Sequence, residues 1–181
     1  MDLFNYQPRR SHEVRIGHKP LGGQQPLRLQ SMTTTLTTDT EASLAQCVDI
    51  IQAGADYIRL TTQGVREAEN LKNIREALRS RGYDTPLVAD VHFNPKVADV
   101  AAAIVEKVRI NPGNYVDPAR TFKSLEYTDE EYAAELVRLE ERFVQFLDIC
   151  RAYGTAVRIG VNHGSLSDRI MCRYGDTPAG I

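Results

Sequence analysis

The sequence has no tryptophan and only three cysteines, none of them in a C-x-x-C pair. That excludes a disulfide framework and the close-set thiols of a zinc or iron–sulfur site within this chain. Cys47 stands with Leu44, Val48 and Ile51, and Cys150 with Phe143, Phe146 and Leu147. Both read as small hydrophobes on buried helix faces in a reducing compartment. An excess of one charge is also missing: 22 Lys and Arg against 24 Asp and Glu leave a formal net charge of −2. No global field favours nucleic acid or an anionic membrane, so any anion site must come from a local cluster. No apolar run approaches the ~20 residues of a membrane span. Residues 1–10 hold no apolar signal core, and the expected location is the cytoplasm. Gly and Pro, at 12 and 8 residues, are too few for collagen-like or low-complexity chains.

What is present is an alternation of strands and helices. A hairpin is expected first, with 13–16 and 19–21 flanking Gly17. Strands are predicted at 27–32, 57–61, 87–92, 107–110 and 156–161, from apolar alternation. Helices are predicted at 39–53, 65–81, from 94 through 105, at 129–153 and from 165 to 174. Thr38 and Glu41 have capping-box spacing, Asn94-Pro95 is a helix start, and Ser165 is expected to cap the last helix. Residues 111–128, rich in Asn, Pro, Gly and Asp, read as a loop. The stripe Tyr132, Leu136, Leu139, Phe143, Phe146, Leu147 and Cys150 resembles a heptad seam but reads as packing on the sheet. Such alternation implies βαβ units and a mainly parallel sheet. After the first strand stands Ser31-Met32-Thr33-Thr34-Thr35 rather than a Gly-rich fingerprint, which disfavours a Rossmann nucleotide site.

Side chains alternate across a strand with period two. Ile58 and Leu60, Leu87 and Ala89, Val108 and Ile110, and Val157, Ile159 and Val161 give each strand one apolar face for the crossover helices. The opposite face carries Tyr57, Arg59 and Thr61, then Asp90 and His92, then Lys107, Arg109 and Asn111, then Arg158, Gly160 and Asn162. An open sheet covered on both sides needs two apolar faces. One polar face on four strands fits the interior of a (β/α)₈ barrel near the carboxyl ends of its strands, where barrel active sites lie. The expected fold is therefore α/β, the amino-terminal part of a TIM barrel with about five of its strands. A complete barrel needs ~250 residues, more than the 181 here.

Arg59, Arg109 and Arg158 converge on that face, and Asp90 neutralises one of them. A buried guanidinium without an anion is costly, and its planar fork suits phosphate. His92 is placed to donate to a phosphate or to a reacting oxygen, Asn111 and Asn162 to bind hydroxyls or phosphate, and Ser165 to add a hydroxyl at a helix start. His92 and Asp90 are the candidate catalytic groups. Taken singly, each has a plainer reading: a strand-end arginine is more often a structural ion pair, Asp90 either orients His92 or pairs with Arg59, and Asn111-Pro112-Gly113-Asn114 is a turn sequence.

At these residues the chain resembles the 4-hydroxy-3-methylbut-2-enyl diphosphate synthase family (IspG/GcpE). The matching strings are residues 30–33 (QSMT), 53–60 (AGADYIRL), 87–93 (LVADVHF), 108–114 (VRINPGN) and 158–166 (RIGVNHGSL). The long segment 115–153 is similar to the longer, three-domain form. The resemblance implies an oxidoreductase of non-mevalonate isoprenoid biosynthesis. Its reaction is the two-electron reductive dehydration of 2-C-methyl-D-erythritol 2,4-cyclodiphosphate to 4-hydroxy-3-methylbut-2-enyl diphosphate. It implies a barrel that binds the substrate, a [4Fe–4S] cluster in a carboxy-terminal domain outside this chain, ferredoxin or flavodoxin as electron donor, and a homodimer at full length. It assigns Arg59, Arg109 and Arg158 to the diphosphate, with His92, Asn111 and Asn162 as further ligands and Asp90 beside them; the helix-start argument adds Ser165 to the expected substrate-binding set. Residues 1–181 are then an amino-terminal fragment, expected to be inactive alone. Two rivals stand beside this: another phosphate-ligand barrel such as a pterin-binding synthase, and a non-catalytic anion-binding module of five closed strands.

Overall fold

The computed structural model describes residues 5, 9–117, 124–161, 163–175 and 177–180. Its centre is a parallel sheet of β1 (Gln30–Met32), β2 (Tyr57–Thr62), β3 (Leu87–Val91), β4 (Lys107–Ile110) and β5 (Ala156–Ile159). The strand order is β1-β2-β3-β4-β5. Every strand pairs with the next in sequence, and the order never reverses as it does at the switch point of a doubly wound sheet. Between the strands run α1 (Thr40–Gln52), α2 (Val65–Ser80), α3 (Pro95–Ala102) and α4 (Asp129–Tyr153), and α5 (Asp168–Tyr174) follows β5.

The two sheet faces differ as the alternation predicts. Ile58, Leu60, Leu87, Ala89, Val91, Val108 and Ile110 form one core with Leu44 and Cys47 of α1, Leu71, Ile74 and Leu78 of α2, Val97 and Ala101 of α3, and Phe146 and Cys150 of α4. A second, small cluster lies on the opposite face at the amino ends of the strands: Tyr57, Val88 and Ala156, joined by Ile16. The hairpin supplies Ile16. Val14 and Leu21 form one antiparallel bridge around a turn in which Lys19 N donates to Ile16 O at 3.1 Å. Tyr57 Oη donates to Lys19 O, tying that turn to the strand ends. The hairpin thus closes the bottom of the interior, leaving the carboxyl ends of the strands open.

Several local expectations are corrected. β1 spans Gln30–Met32 rather than 27–32, and Leu27 and Leu29 are exposed beside it. α1 is capped by Asp39, whose side chain accepts from Ala42 N at 3.0 Å, not by Thr38. The capping box appears on α4, between Thr128 and Glu131, and Gly154 ends that helix at φ +68°. Ser167 stands at the start of α5, while Ser165 closes the 3-10 turn His163–Ser165. The α4 stripe is divided: Phe146 and Cys150 are buried in the core, whereas Leu136 and Leu147 remain exposed. Packing against α3 occupies the carboxyl half of α4, near where Arg142 pairs with Asp99. Ile159 and Val161 are likewise exposed, not covered by a helix. Among the described residues β5 pairs only with β4, which departs from a closed five-stranded module. No helix of the described residues is long and apolar enough to cross a membrane.

Phe146 is fully buried between α4 and the sheet. Phe146→Ala is expected to lower unfolding free energy by about 3–5 kcal/mol, read as a fall in the urea midpoint at unchanged slope.

Candidate functional site

The polar face gathers around one carboxylate. Asp90, buried on β3, places Oδ1 3.2 Å from Arg109 Nη1 and Oδ2 3.4 Å from Arg59 Nε. His92 Nε2 lies 3.5 Å from Asp90 Oδ2 and 3.1 Å from Arg109 Nη1. The guanidinium only donates, so the ring tautomer decides which neighbour Nε2 serves. Asp90 therefore touches two arginines and a histidine at once, where pairing with Arg59 and orienting His92 were expected as alternatives. Register explains why: Thr61, Asp90, Arg109 and Arg158 are partners across β2 to β5 and face one space.

Arg109 is the most firmly seated of the three. Its Nη2 donates to Gly160 O at 2.8 Å, and its side chain lies against Gly160 so closely that an added Cβ would overlap Nε. A side chain at 160 would therefore displace the Arg109 guanidinium from this seat. Arg59 Nε also faces the Met32 sulfur at 3.3 Å. Arg158 lies beside Arg109 on the edge strand and is exposed. One carboxylate among three guanidinium groups leaves surplus positive charge facing the open end of the interior. Immediately after His92, Phe93 adopts φ +58°. A left-handed non-glycine residue costs on the order of 1–3 kcal/mol, and such strain gathers at functional sites.

The remaining candidates divide. Asn111 is buried at the end of β4; its Nδ2 donates to Ser165 Oγ at 3.0 Å, and its Oδ1 accepts from Gly113 N at 3.0 Å. Asn114 Nδ2 donates to Ser165 O at 2.9 Å. Asn111 and Ser165 are brought together, but as partners that fix the loop after β4 against the turn after β5. The anion-binding helix start expected at Ser165 is not formed there. Asn162 lies outside the described residues.

One residue was on the polar face in the sequence but not singled out. Lys107 is buried, one inward position before Arg109 on β4. Its Nζ sits 3.2 Å from Gln30 Oε1 and 4.7 Å from the centre of the Tyr57 ring. Burial, with Arg158 and Arg59 adding repulsion, pushes its ammonium down to about 8. The period-two pattern was the signal that could have found it.

The cysteines do not fit an iron–sulfur cluster, which takes several thiolates converging on one point. Cys47 and Cys150 are buried in the core, and burial pushes their thiols up to about 12 and about 11. Cys172 is exposed on α5. Among the described residues no group of three or more His, Cys, Asp or Glu is placed to hold a metal ion.

Charged in the unfolded chain and partly neutral when folded, Lys107 opposes folding below its ordinary range, and that opposition fades as pH rises above about 8. Lys107→Met is expected to melt at higher temperature than the unaltered chain at neutral pH. Thermal melts across the alkaline range should show this advantage shrinking.

The sequence of this chain is also similar to known proteins. It is 71% identical over all 181 residues to "4-hydroxy-3-methylbut-2-en-1-yl diphosphate synthase (flavodoxin)" of Phocaeicola vulgatus, of which it covers 30%. It is 51% identical over 179 residues to the protein of the same name from Chlorobaculum tepidum, covering 99% of this chain and 24% of that one. The chain thus spans about a third or less of the curated relatives it matches. A solved structure, dihydropteroate synthase from Burkholderia cenocepacia, aligns with 93% of this chain and 72% of that one at 17% identity and a TM-score of 0.48. That likeness is too slight to bear on the site. The model of the GcpE TIM-barrel domain matches residues 11–181. With a sequential parallel sheet, helices on one face and a polar interior at the carboxyl ends of the strands, the chain belongs to the GcpE TIM-barrel family.

Proposed function

We propose that residues 1–181 are the amino-terminal portion of a barrel that binds 2-C-methyl-D-erythritol 2,4-cyclodiphosphate. The bound substrate is poised for two-electron reductive dehydration to 4-hydroxy-3-methylbut-2-enyl diphosphate. The observation that carries this reading is the arginine surplus: Arg59 and Arg109 share Asp90, and Arg158 stands beside them. The two phosphoryl groups of a cyclic diphosphate supply the missing negative charge. Guanidinium forks bind their oxygens in pairs, which fixes the ring as well as holding it.

Asp90 keeps the Arg59 and Arg109 forks in place before substrate arrives, so little reorganisation accompanies binding. His92, touching both Asp90 and Arg109, is positioned to donate a hydrogen bond to a phosphate or ring oxygen. The names of the relatives support flavodoxin as electron donor. The [4Fe–4S] cluster implied by the resemblance supplies electrons when bound. The thiols described here do not fit it, so this chain's part is to bind and orient. Incubated with a reduced donor, the chain alone is expected to give no product.

Arg158→Met gives the cleanest test because the side chain is exposed. Titration of the full-length protein with the cyclodiphosphate should show affinity falling at least about tenfold (~1.4 kcal/mol). Unfolding free energy of the chain should move by less than about 0.5 kcal/mol. Unchanged affinity would remove Arg158 from the site and weaken the diphosphate reading with it.

A further inference from the structure

Lys107 is an unusual residue to keep in the interior of a fold. It is nine-tenths buried, and among the described residues it forms no ion pair. The groups facing it are known on every side. β1 contributes Gln30, β2 contributes Tyr57 and Arg59, β3 contributes Val88 and Asp90, and β5 contributes Ala156 and Arg158. Its own strand adds Arg109, roughly 6.6 Å further along at two residues' rise. The hairpin adds Ile16 below. Asp90, the carboxylate of this face, is already engaged by Arg59 and Arg109. Lys107 therefore sits in a dry layer between an apolar plug and a positively charged floor, with one amide oxygen and one aromatic face as its close partners.

We propose that Lys107 is a proton-linked cation of the anion site, taking up a proton from solvent when a diphosphate binds to the arginines above it. The inference rests on the diphosphate reading of that site. Burial is the first reason that Nζ resists charge, and the part a ligand can change is the local field of Arg158 and Arg59. With the arginines unmatched, the potential at Nζ is positive and disfavours a further charge. A bound diphosphate reverses that field and favours the ammonium form. The uptake is R–NH₂ + H⁺ → R–NH₃⁺ on Nζ; no other bond changes. By linkage, whatever promotes the proton must in turn be promoted by it, so Lys107 in its charged form strengthens anion binding. It is a positioning residue that adjusts the charge of the site without touching the ligand. The depressed ammonium, at about 8, places the exchange where a small change of field moves it.

The test uses full-length protein and the cyclodiphosphate. In that ligand each phosphorus bears only a strongly acidic hydroxyl, so the ligand does not titrate in this range. Calorimetry near pH 8 in two buffers of different ionisation enthalpy should show uptake of about half a proton per site, the neutral fraction of a group at its midpoint. Affinity should fall with rising pH above 8, by up to about tenfold per pH unit. Lys107→Met should bind with neither uptake nor that slope. Lys107→Arg, permanently charged, should bind without the slope and at the affinity the unaltered protein shows well below pH 8. Equal uptake and slope in the unaltered protein and Lys107→Met would overturn the linkage, as would binding by the unaltered protein with no uptake. Failure of the unaltered protein to bind the cyclodiphosphate well below pH 8, where Lys107 is charged in any case, would instead overturn the diphosphate reading and this inference together.

Discussion

A single buried carboxylate organises the site. Asp90 faces the interior from β3 and touches Arg59 from one neighbouring strand and Arg109 from the other. Without it, two guanidinium groups would face each other in a partly dry space, and each would swing toward water. With it, both forks are held in fixed directions while the net charge stays positive. That combination of order and incomplete neutralisation is what an anion-binding pocket needs.

The carboxylate has this role because of how the sheet is covered. α1 to α4 pack on one face, and their apolar stripes take up the outward residues of β2 to β4 and Val157 of β5. The inward face is then free to be polar. At its lower end, Tyr57, Val88, Ala156 and Ile16 form a plug; at its upper end stand Asp90, His92 and the arginines. Lys107 lies at the boundary between these layers. Its depressed ammonium is a consequence of that position: dry below, positive above.

Much of this was legible in the strand pattern. Period-two alternation places Arg59, Asp90, His92, Arg109 and Arg158 on one face, because the alternate positions of their strands are apolar. The same pattern placed Lys107 there, but a lysine on a polar face is usually a surface residue, and nothing local says that it is buried. The helix start at Ser165 was misplaced because Ser165 and Ser167 are equally good caps; the difference lies in Asn111 and Asn114, which bind Ser165 from another strand end. Asn111 is polar and placed on that face; Ser165 Oγ and Gly113 N each engage one end of its amide, and each end retains a second hydrogen-bonding position.

Sequence by itself determined the fold class, the polar face of the sheet and the family, since all three depend on residue type at fixed spacing along the chain. Only the tertiary structure decided how charge is shared on that face. Whether Asp90 holds one arginine or two, how closely Arg109 lies against Gly160, and that Lys107 has no carboxylate partner among the described residues are set by register and side-chain reach between strands. Those distances join residues 19 to 51 positions apart, and no local pattern encodes them.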